Sequence, residues 1–221
     1  MKASAGKGRR LEADEARRRI VDAAERGFLR VDLASATMSA IAAEAEVSRP
    51  TLYKHFRSID ELALAVQMRV LEKIYATMER RADERGPALA RIETMLRDLE
   101  ALCESDKANL RFLGLFDHYY GSSYRDPGMA ERYAAFLGRF DRIEGLIAEG
   151  KADGSLRPEL DAHNAAYMVG NVFLSMMQRL SARGDILRRE QRVEIKEQFE
   201  ELIEMVLRYA RNEKHGQGRA S

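Results

Sequence analysis

Between residues 37 and 55 the chain concentrates side chains that are suited to a phosphate-bearing partner. Hydroxyl, phenol and cationic groups follow one another there at short intervals, and groups of these types position proteins on nucleic acid. The donors are Thr37, Thr51, Tyr53, Lys54 and His55. Tyr53 and His55 also fit the edge of an ordinary hydrophobic core, so the elements around them must decide between the two interpretations.

Three short helices, separated by tight turns, are predicted around these side chains. A first helix that ends near Val31 is predicted by an apolar stripe at every fourth position, Ala16, Ile20, Ala24 and Phe28. Thr37 is the predicted N-cap of a second helix over residues 38–45, and Ser48 that of a third, with Pro50 in its first turn. Two short helices joined by a turn can place the start of the second helix in the major groove of DNA.

The most specific signal is the run TMSAIAAEAEVSRPTLYKHF at residues 37–56, followed by SIDEL at residues 58–62. One unbroken register combines a threonine cap, an Ile-Ala pair, an Ala-x-Val-Ser turn, a Leu-Tyr-x-His-Phe run and a Ser-x-Asp-Glu-Leu continuation. This segment resembles the DNA-binding signature of the tetracycline-repressor (TetR/AcrR) family. The resemblance implies a dimeric, ligand-responsive transcription factor, more often a repressor than an activator, with double-stranded operator DNA as its partner.

The resemblance also assigns roles within the segment. Arg49, Pro50 and Thr51 begin the recognition helix, so they are expected to reach base edges. Ser48 is expected to serve mainly as the N-cap of that helix. The remaining members of the predicted DNA-binding set are expected at phosphates, namely Thr37, Tyr53, Lys54 and His55.

Three positions depart from the family pattern. Glu46 replaces the usual turn glycine, and Asp32 replaces the glycine that usually ends the first helix. Glutamate tolerates a left-handed backbone poorly, so either Glu46 strains the turn or the turn avoids positive φ. Ile59 replaces a lysine that the family commonly directs at a phosphate.

The whole chain is predicted to be all-α, with about nine helices and no sustained alternation typical of strands. Residues 1–12 are expected to form a disordered basic arm, either a solvated tail or a further DNA contact, and residues 13–60 the helix-turn-helix domain. A connecting helix over 61–85 follows the Ser58/Glu61 capping pair. Because Gly86-Pro87 breaks that helix, a ligand-binding and dimerisation domain is expected over 86–211, before a disordered tail at 212–221.

An effector pocket is predicted in this second domain from its aromatic and methionine content, which favours a small lipophilic ligand. Plain core packing is the alternative for each residue taken singly. The expected pocket residues are Phe112, Phe116, His118, Tyr119, Tyr120, Phe140, Phe173, Met176 and Met177.

A homodimer interface is predicted on the last two helices, whose apolar faces are wider than one neighbour requires. The alternative is that both helices only close the core of one chain. The expected interface residues are Val169, Phe173, Leu180, Phe199, Leu202 and Val206.

Other classes of protein are disfavoured by what the sequence contains. His118, His163 and Asp117 lack the partners at helical spacing that a catalytic or metal site requires, so no catalytic residue, metal or cofactor is predicted. A helical enzyme, a metal-binding protein and a scaffold without DNA affinity remain the alternatives. The single cysteine, Cys103, and the lack of a long apolar stretch or signal peptide predict a cytoplasmic protein without a membrane partner.

Overall fold

The computed structural model describes residues 2–138 and 142–213, and within these ranges every extended regular element is an α-helix. This confirms the predicted all-α class. The described helices are α1 (Lys2–Ser35), α2 (Met38–Glu44), α3 (Arg49–His55), α4 (Ile59–Ala82), α5 (Ala88–Ser105), α6 (Lys107–Tyr119), α7 (Pro127–Leu137), α8 (Arg142–Ala152), α9 (Ala162–Gln191) and α10 (Ile195–Ala210). The sequence predicts α7 and α8 as one helix; residues 139–141, which separate them, are outside the described ranges.

The chain divides into two compact units that do not follow the predicted boundary at Gly86-Pro87. The amino-terminal unit contains the chain up to Val70 together with Phe112–Phe136, and the carboxy-terminal unit contains Leu71–Arg111 together with the chain from Leu137. Helix α4 already ends at Ala82, while Gly86 has a φ of 122° and Pro87 is the N-cap of α5. The Gly-Pro pair separates two helices rather than two domains, because α5 and the end of α4 belong to the same unit.

Helix α1 is longer at its start than the sequence predicts. It begins at Lys2, where a disordered arm was expected, because residues 2–12 contain no proline to interrupt a helix that is already nucleated downstream. Near its end Asp32 has φ 65° and ψ 174°, a backbone conformation that is essentially confined to glycine. The helix therefore kinks at the expected end near Val31. Of the predicted disordered tail, only residues 212–213 fall within the described ranges.

The core of the amino-terminal unit joins the first three helices to α6 and α7. Ile20 and Phe28 of α1 are fully buried, and the Phe28 ring stacks on that of Phe112 with centroids 5.8 Å apart. Two long-range hydrogen bonds reinforce this packing. The Tyr120 hydroxyl donates to Asp60 Oδ1 at 2.6 Å, and Gln67 Nε2 donates to the Tyr133 hydroxyl at 3.0 Å.

In the carboxy-terminal unit α5 packs against α8, α9 and α10. Gly150 of α8 allows close approach, because a β-carbon there would lie 2.5 Å from Leu156 and 2.8 Å from Ala88. Cys103 of α5 is buried, with its sulfur 3.6 Å from the Ser181 hydroxyl oxygen of α9. Among the described helices, none has the length and apolar character needed to cross a membrane.

Candidate nucleic-acid interface

Two hydroxyl caps hold α2 and α3 in the predicted register. Thr37 Oγ1 accepts a hydrogen bond from the backbone N–H of Ala40 at 3.2 Å, and Ser48 Oγ accepts from that of Thr51 at 3.2 Å. The Ser48 and Thr51 hydroxyl oxygens are also 2.8 Å apart. Because a hydroxyl can donate while it accepts, the Thr37 hydroxyl keeps its proton for a phosphate oxygen.

The turn between α2 and α3 adopts the strained one of the two alternatives that Glu46 leaves open. Glu46 has a φ of 52°, in the left-handed region that costs a residue with a β-carbon about 1–2 kcal/mol. Arg19 of α1 braces this turn, since its Nη2 donates to the Ala45 carbonyl at 2.9 Å and to Glu46 Oε2 at 3.0 Å. The Arg19 side chain therefore stabilises a turn that a glycine at position 46 would form without strain.

Helix α3 buries one face and exposes the other. Leu52 and Phe56 are buried at 0% and 2% exposure, so they fix the angle of α3 against its neighbours. Tyr53 is 47% exposed, which argues against its alternative interpretation as a core residue. On the exposed side lie Arg49, Pro50 and Lys54, with Thr51 and His55 half-buried. The exposed edge of α3 thus carries the residues that the sequence assigns to base edges and phosphates.

The cations of the amino-terminal unit fall into two groups. Those on the flanks form ion pairs, as when Arg26 and Arg30 both bind Glu44 and when Arg69 binds Asp22 and Glu25. No ion pair within the described part of the chain is formed by Arg17, Arg18, Arg49, Lys54 or Arg57, whereas Arg19, at the turn before α3, pairs with Glu46. Unpaired cations collected at one end of a unit produce the local positive field that attracts an anionic partner.

His55 lies within this positive group, beside the end of α3. Partial desolvation, together with the charges of Lys54 and Arg17, lowers the pKa of His55, while Asp14 acts weakly in the opposite direction. The imidazole is therefore mainly neutral near pH 7 in the free protein. A phosphate would favour its protonated form, because an anion stabilises a neighbouring cation.

The predicted effector residues that the structure describes are divided between the two units. Phe112, Phe116 and Tyr120 are buried in the amino-terminal unit, where the Phe116 ring lies 4.7 Å from that of Tyr120, while Tyr119 is half-buried and His118 exposed. The others belong to the carboxy-terminal unit or lie outside the described residues. They are Phe173 and Met177, which are buried, Met176, which is half-buried, and Phe140, which is not described.

The carboxy-terminal unit contains instead a small apolar cavity of about 50 Å³, and of the predicted effector residues Phe173 alone lines it. Its other walls come from α4, α5, α8, α9 and α10. They include Met78, Met95, Leu99, Ile147, Val169 and Tyr209. Sequence reasoning missed these methionines because their helical spacing is also that of ordinary core residues.

Four of the six predicted dimer residues lie inside the chain's own core, so the predicted interface needs correction. Phe173, Leu180, Phe199 and Val206 are at most 9% exposed, and the rings of Phe173 and Phe199 are 6.3 Å apart. Val169 and Leu202 are half-buried. The exposed apolar side chains of α9 and α10 follow a neighbouring stripe, which consists of Tyr167, Met168, Val172, Ile186, Met205 and Tyr209.

No cluster of three or more metal-binding side chains occurs among the residues that the structure describes. For Arg17 and Arg19, which the sequence shows only as members of a basic amino-terminal run, the structure adds contacts beside α3. These contacts give no signal in a linear pattern, because each joins α1 to a residue far along the chain. Arg17 contacts Phe56, and Arg19 contacts Ala45.

Comparisons with known proteins agree with this geometry. Residues 20–66 match the sequence model of bacterial regulatory proteins of the tetR family. No curated protein matches the chain in sequence.

Solved structures share the fold over most of the chain. The SmeT–triclosan complex is 23% identical with a TM-score of 0.69, and the match covers 90% of this chain and 92% of that one. SmeT is described as the repressor of the Stenotrophomonas maltophilia multidrug efflux pump SmeDEF.

Two further structures extend the range of bound ligands and organisms. FadR from Bacillus subtilis, in complex with stearoyl-CoA, is 16% identical with a TM-score of 0.66, covering 86% of this chain and 97% of that one. NalD, the secondary repressor of the MexAB-OprM multidrug efflux pump in Pseudomonas aeruginosa, is 19% identical with a TM-score of 0.63, covering 92% and 99%. The TM-scores and the coverage of these matches establish the shared fold.

Proposed function

We propose, from the premise that residues 20–66 belong to the tetR family of bacterial regulatory proteins, that the chain is a ligand-responsive transcriptional repressor. One observation carries the proposal. Helix α3 is fixed by Leu52 and Phe56 and presents Arg49, Pro50 and Thr51 at its first turn, beside cations that form no ion pair with any residue that the structure describes. A helix start of this kind suits base edges, and the surrounding cations suit phosphates.

The operator is proposed to be a palindrome bound by a homodimer, because two copies of α3 are needed to contact two half-sites. The proposed interface is the exposed stripe of α9 and α10, with Met168, Val172 and Met205 as its central members. Charge supports this pairing. Arg179 of α9 and several glutamates of α10, Glu201 among them, line the groove between the two helices, so Arg179 of one copy can pair with a glutamate of the other.

The proposed effector site is the apolar cavity of the carboxy-terminal unit. At about 50 Å³ it is far smaller than the roughly 300–1,000 Å³ of typical ligand pockets, so binding requires the walls to move. Met78 and Met95 are unbranched and flexible, and Gly170 has open space where a side chain would be. The cavity therefore suits a lipophilic molecule that opens it; SmeT and FadR, which share the fold, bind triclosan and stearoyl-CoA.

Neither catalysis nor a cofactor is part of the proposal, and a regulator of transcription would act in the cytoplasm. The effector is proposed to favour a conformation with weaker operator affinity. Linkage then requires operator DNA to weaken effector binding by the same factor. An effector that releases DNA while its own affinity is unchanged by DNA would contradict this two-state scheme.

The DNA-binding proposal is tested by selecting duplexes from a random-sequence pool with the wild-type protein and measuring affinity over a range of salt concentrations. Arg49→Ala should cost about 1–3 kcal/mol on the selected duplex and relax the preference at one base pair per half-site. Lys54→Ala should weaken binding to selected and scrambled duplexes alike and reduce the salt dependence by about one counterion per subunit.

The two variants serve as controls for each other, since each removes one exposed cation of α3. Equal losses of Arg49→Ala on both duplexes would make Arg49 a phosphate contact. Failure of the wild-type protein to enrich any duplex would refute the proposed function.

A further inference from the structure

We propose that the first part of α1, residues 2–18, is a second DNA-contacting element that binds phosphates outside the base pairs faced by α3. This inference rests on the proposed function, because it extends the same DNA surface. It does not depend on the turn or the recognition helix themselves, and different variants test it.

Arg17 connects α1 to the recognition helix. Its guanidinium carbon lies 5.0 Å from the centre of the Phe56 ring, and Phe56 is the buried C-cap of α3. A cation over an aromatic face is attracted to it even when its other side remains in water. The contact therefore holds an exposed charge beside the carboxy-terminal end of α3, next to Lys54 and His55.

The two ends of α1 treat their arginines differently. Arg26 and Arg30, toward the end of the helix, both bind Glu44. Arg17 and Arg18 form no ion pair within the described part of the chain, although Glu12, Asp14 and Glu15 are on the same helix. Folding satisfies the charges at one end of α1 and leaves those at the other end available to an anion.

Helix α1 extends amino-terminal to Arg17, and further cations follow in the sequence of that part. Fifteen residues separate Arg17 from Lys2 in one helix, which at 1.5 Å per residue gives about 22 Å, or roughly six base pairs of duplex. The sequence places Lys2, Lys7, Arg9 and Arg10 in this stretch and no acid among residues 2–10. Residues 2–18 hold six cations against three acids, so the net charge suits a polyanion.

The test compares two duplexes that contain the sequence selected by the wild-type protein. The short duplex ends at the outermost selected base pairs, and the long one has about seven further base pairs of arbitrary sequence on each side. If the α1 segment binds flanking phosphates, the wild-type protein should prefer the long duplex by about tenfold at near-physiological salt.

Two variants remove charge from the segment in the full chain. The fourfold variant Lys2→Gln, Lys7→Gln, Arg9→Gln and Arg10→Gln should lose most of the preference for the long duplex and flatten its salt dependence by about two to four counterions per subunit. Arg17→Gln should reduce the salt dependence of binding by about one counterion per subunit. Circular dichroism and melting curves check that both variants remain folded.

Matched controls remove the same charge elsewhere. Arg30→Gln on the same helix is the control for Arg17→Gln, because Arg30 is an exposed arginine already paired with Glu44. The control for the fourfold variant replaces exposed cations of the carboxy-terminal unit by glutamine, namely Arg97, Lys107, Lys196 and Arg208. These controls should keep the wild-type preference for the long duplex.

Three outcomes would overturn the inference. In the first, the wild-type protein binds the short and the long duplex equally. In the second, the segment variants lose no more preference for the long duplex than their controls. In the third, the segment binds vesicles rich in phosphatidylserine, while the flanking base pairs have no effect on DNA affinity. In each of these cases the wild-type protein still selects a duplex, so the proposed function survives. If it selects none, both proposals fail together.

Discussion

The exposed edge of α3 and the outward stripe of α9 and α10 are both free of partners from the chain's own core, but they expose opposite chemistry. The first carries cations such as Arg49 and Lys54 without ion pairs. The second carries apolar side chains such as Val172 and Met205, which are 45% and 66% exposed. A charged surface selects a polyanion and weakens with salt, whereas an apolar surface selects another apolar face and keeps its affinity.

The two surfaces are therefore expected to bind different partners, the first through electrostatic attraction and the second through apolar contact. This difference predicts that raising the salt concentration releases DNA while the dimer persists. It also predicts that a single charge introduced into the apolar stripe separates the two copies without harming the fold.

The largest effect is expected where two adjacent residues of α9 face opposite sides. Phe173 is buried, so Phe173→Glu places an unpaired charge in the core and should cost more than about 4 kcal/mol of unfolding free energy, enough to prevent stable folding. Val172→Glu puts the same charge on the exposed stripe, so the helical content should survive while light scattering detects a monomer. If Val172→Glu forms a stable dimer, the dimer interface does not include the exposed stripe around Val172.

A smaller loss is expected at the hydrogen bond that connects α6 to the first turn of α4. Burial and the neighbouring Asp60 carboxylate raise the pKa of Tyr120, so its hydroxyl stays a donor throughout the accessible pH range. Tyr120→Phe should destabilise the protein by about 1–3 kcal/mol, as measured by denaturant titration, because it leaves the part-buried Asp60 oxygen without its Tyr120 donor.

Tyr124→Phe is the matched control for this variant. Tyr124 belongs to the same aromatic cluster, with its ring 5.5 Å from that of Tyr120, and both changes remove one phenol hydroxyl. A loss in Tyr124→Phe as large as that in Tyr120→Phe would show that the bond to Asp60 is not the source of the stability lost in Tyr120→Phe.

A gain is expected at the turn before α3. Glu46→Gly removes the β-carbon from a residue with a φ of 52°, and should stabilise the protein by about 1 kcal/mol, even though the exposed pair with Arg19 is lost. Glu46→Ala loses the same carboxylate but keeps the β-carbon. Chemical denaturation that gives equal stability for the two variants would place the cost of Glu46 in its charge instead of its backbone.

The smallest effect is the pH dependence of DNA binding. Because the pKa of His55 is lowered in the free protein, phosphate binding should draw a proton onto the ring. DNA affinity should therefore rise as the pH falls from about 7.5 toward 6, by less than about tenfold per subunit. His55→Gln should flatten the profile; an unchanged profile would assign the titration to another group.

The helix-turn-helix could be predicted from sequence because its determinants are local. Thr37 and Ser48 cap the helices that begin right after them, and the first helix, expected to end near Val31, kinks at Asp32. The residues that supply the proposed interface to DNA lie within twenty positions of one another. Pattern and resemblance therefore identify them before any tertiary contact is known.

The remaining surfaces depend on contacts between distant segments, which a linear pattern does not specify. Phe112 and Phe116 have the spacing of pocket residues, but Phe112 stacks on Phe28, far away in sequence, and Phe116 packs against Tyr133. On α9 two apolar stripes run side by side, and only the packing of α5 and α10 decides that Phe173 faces inward and Val172 outward. For this reason the residues predicted for the interface include Phe173, on the stripe that faces inward.

The burial of Cys103 limits the kinds of signal to which the protein can respond. The chain has one cysteine, and desolvation raises the pKa of its thiol, so the nucleophilic thiolate is scarce at neutral pH. Peroxides and electrophiles react with exposed thiolates, and two copies cannot be joined through a sulfur that neither exposes. Alkylating dyes should also ignore the native protein, so a cysteine introduced on α3 would carry the label alone.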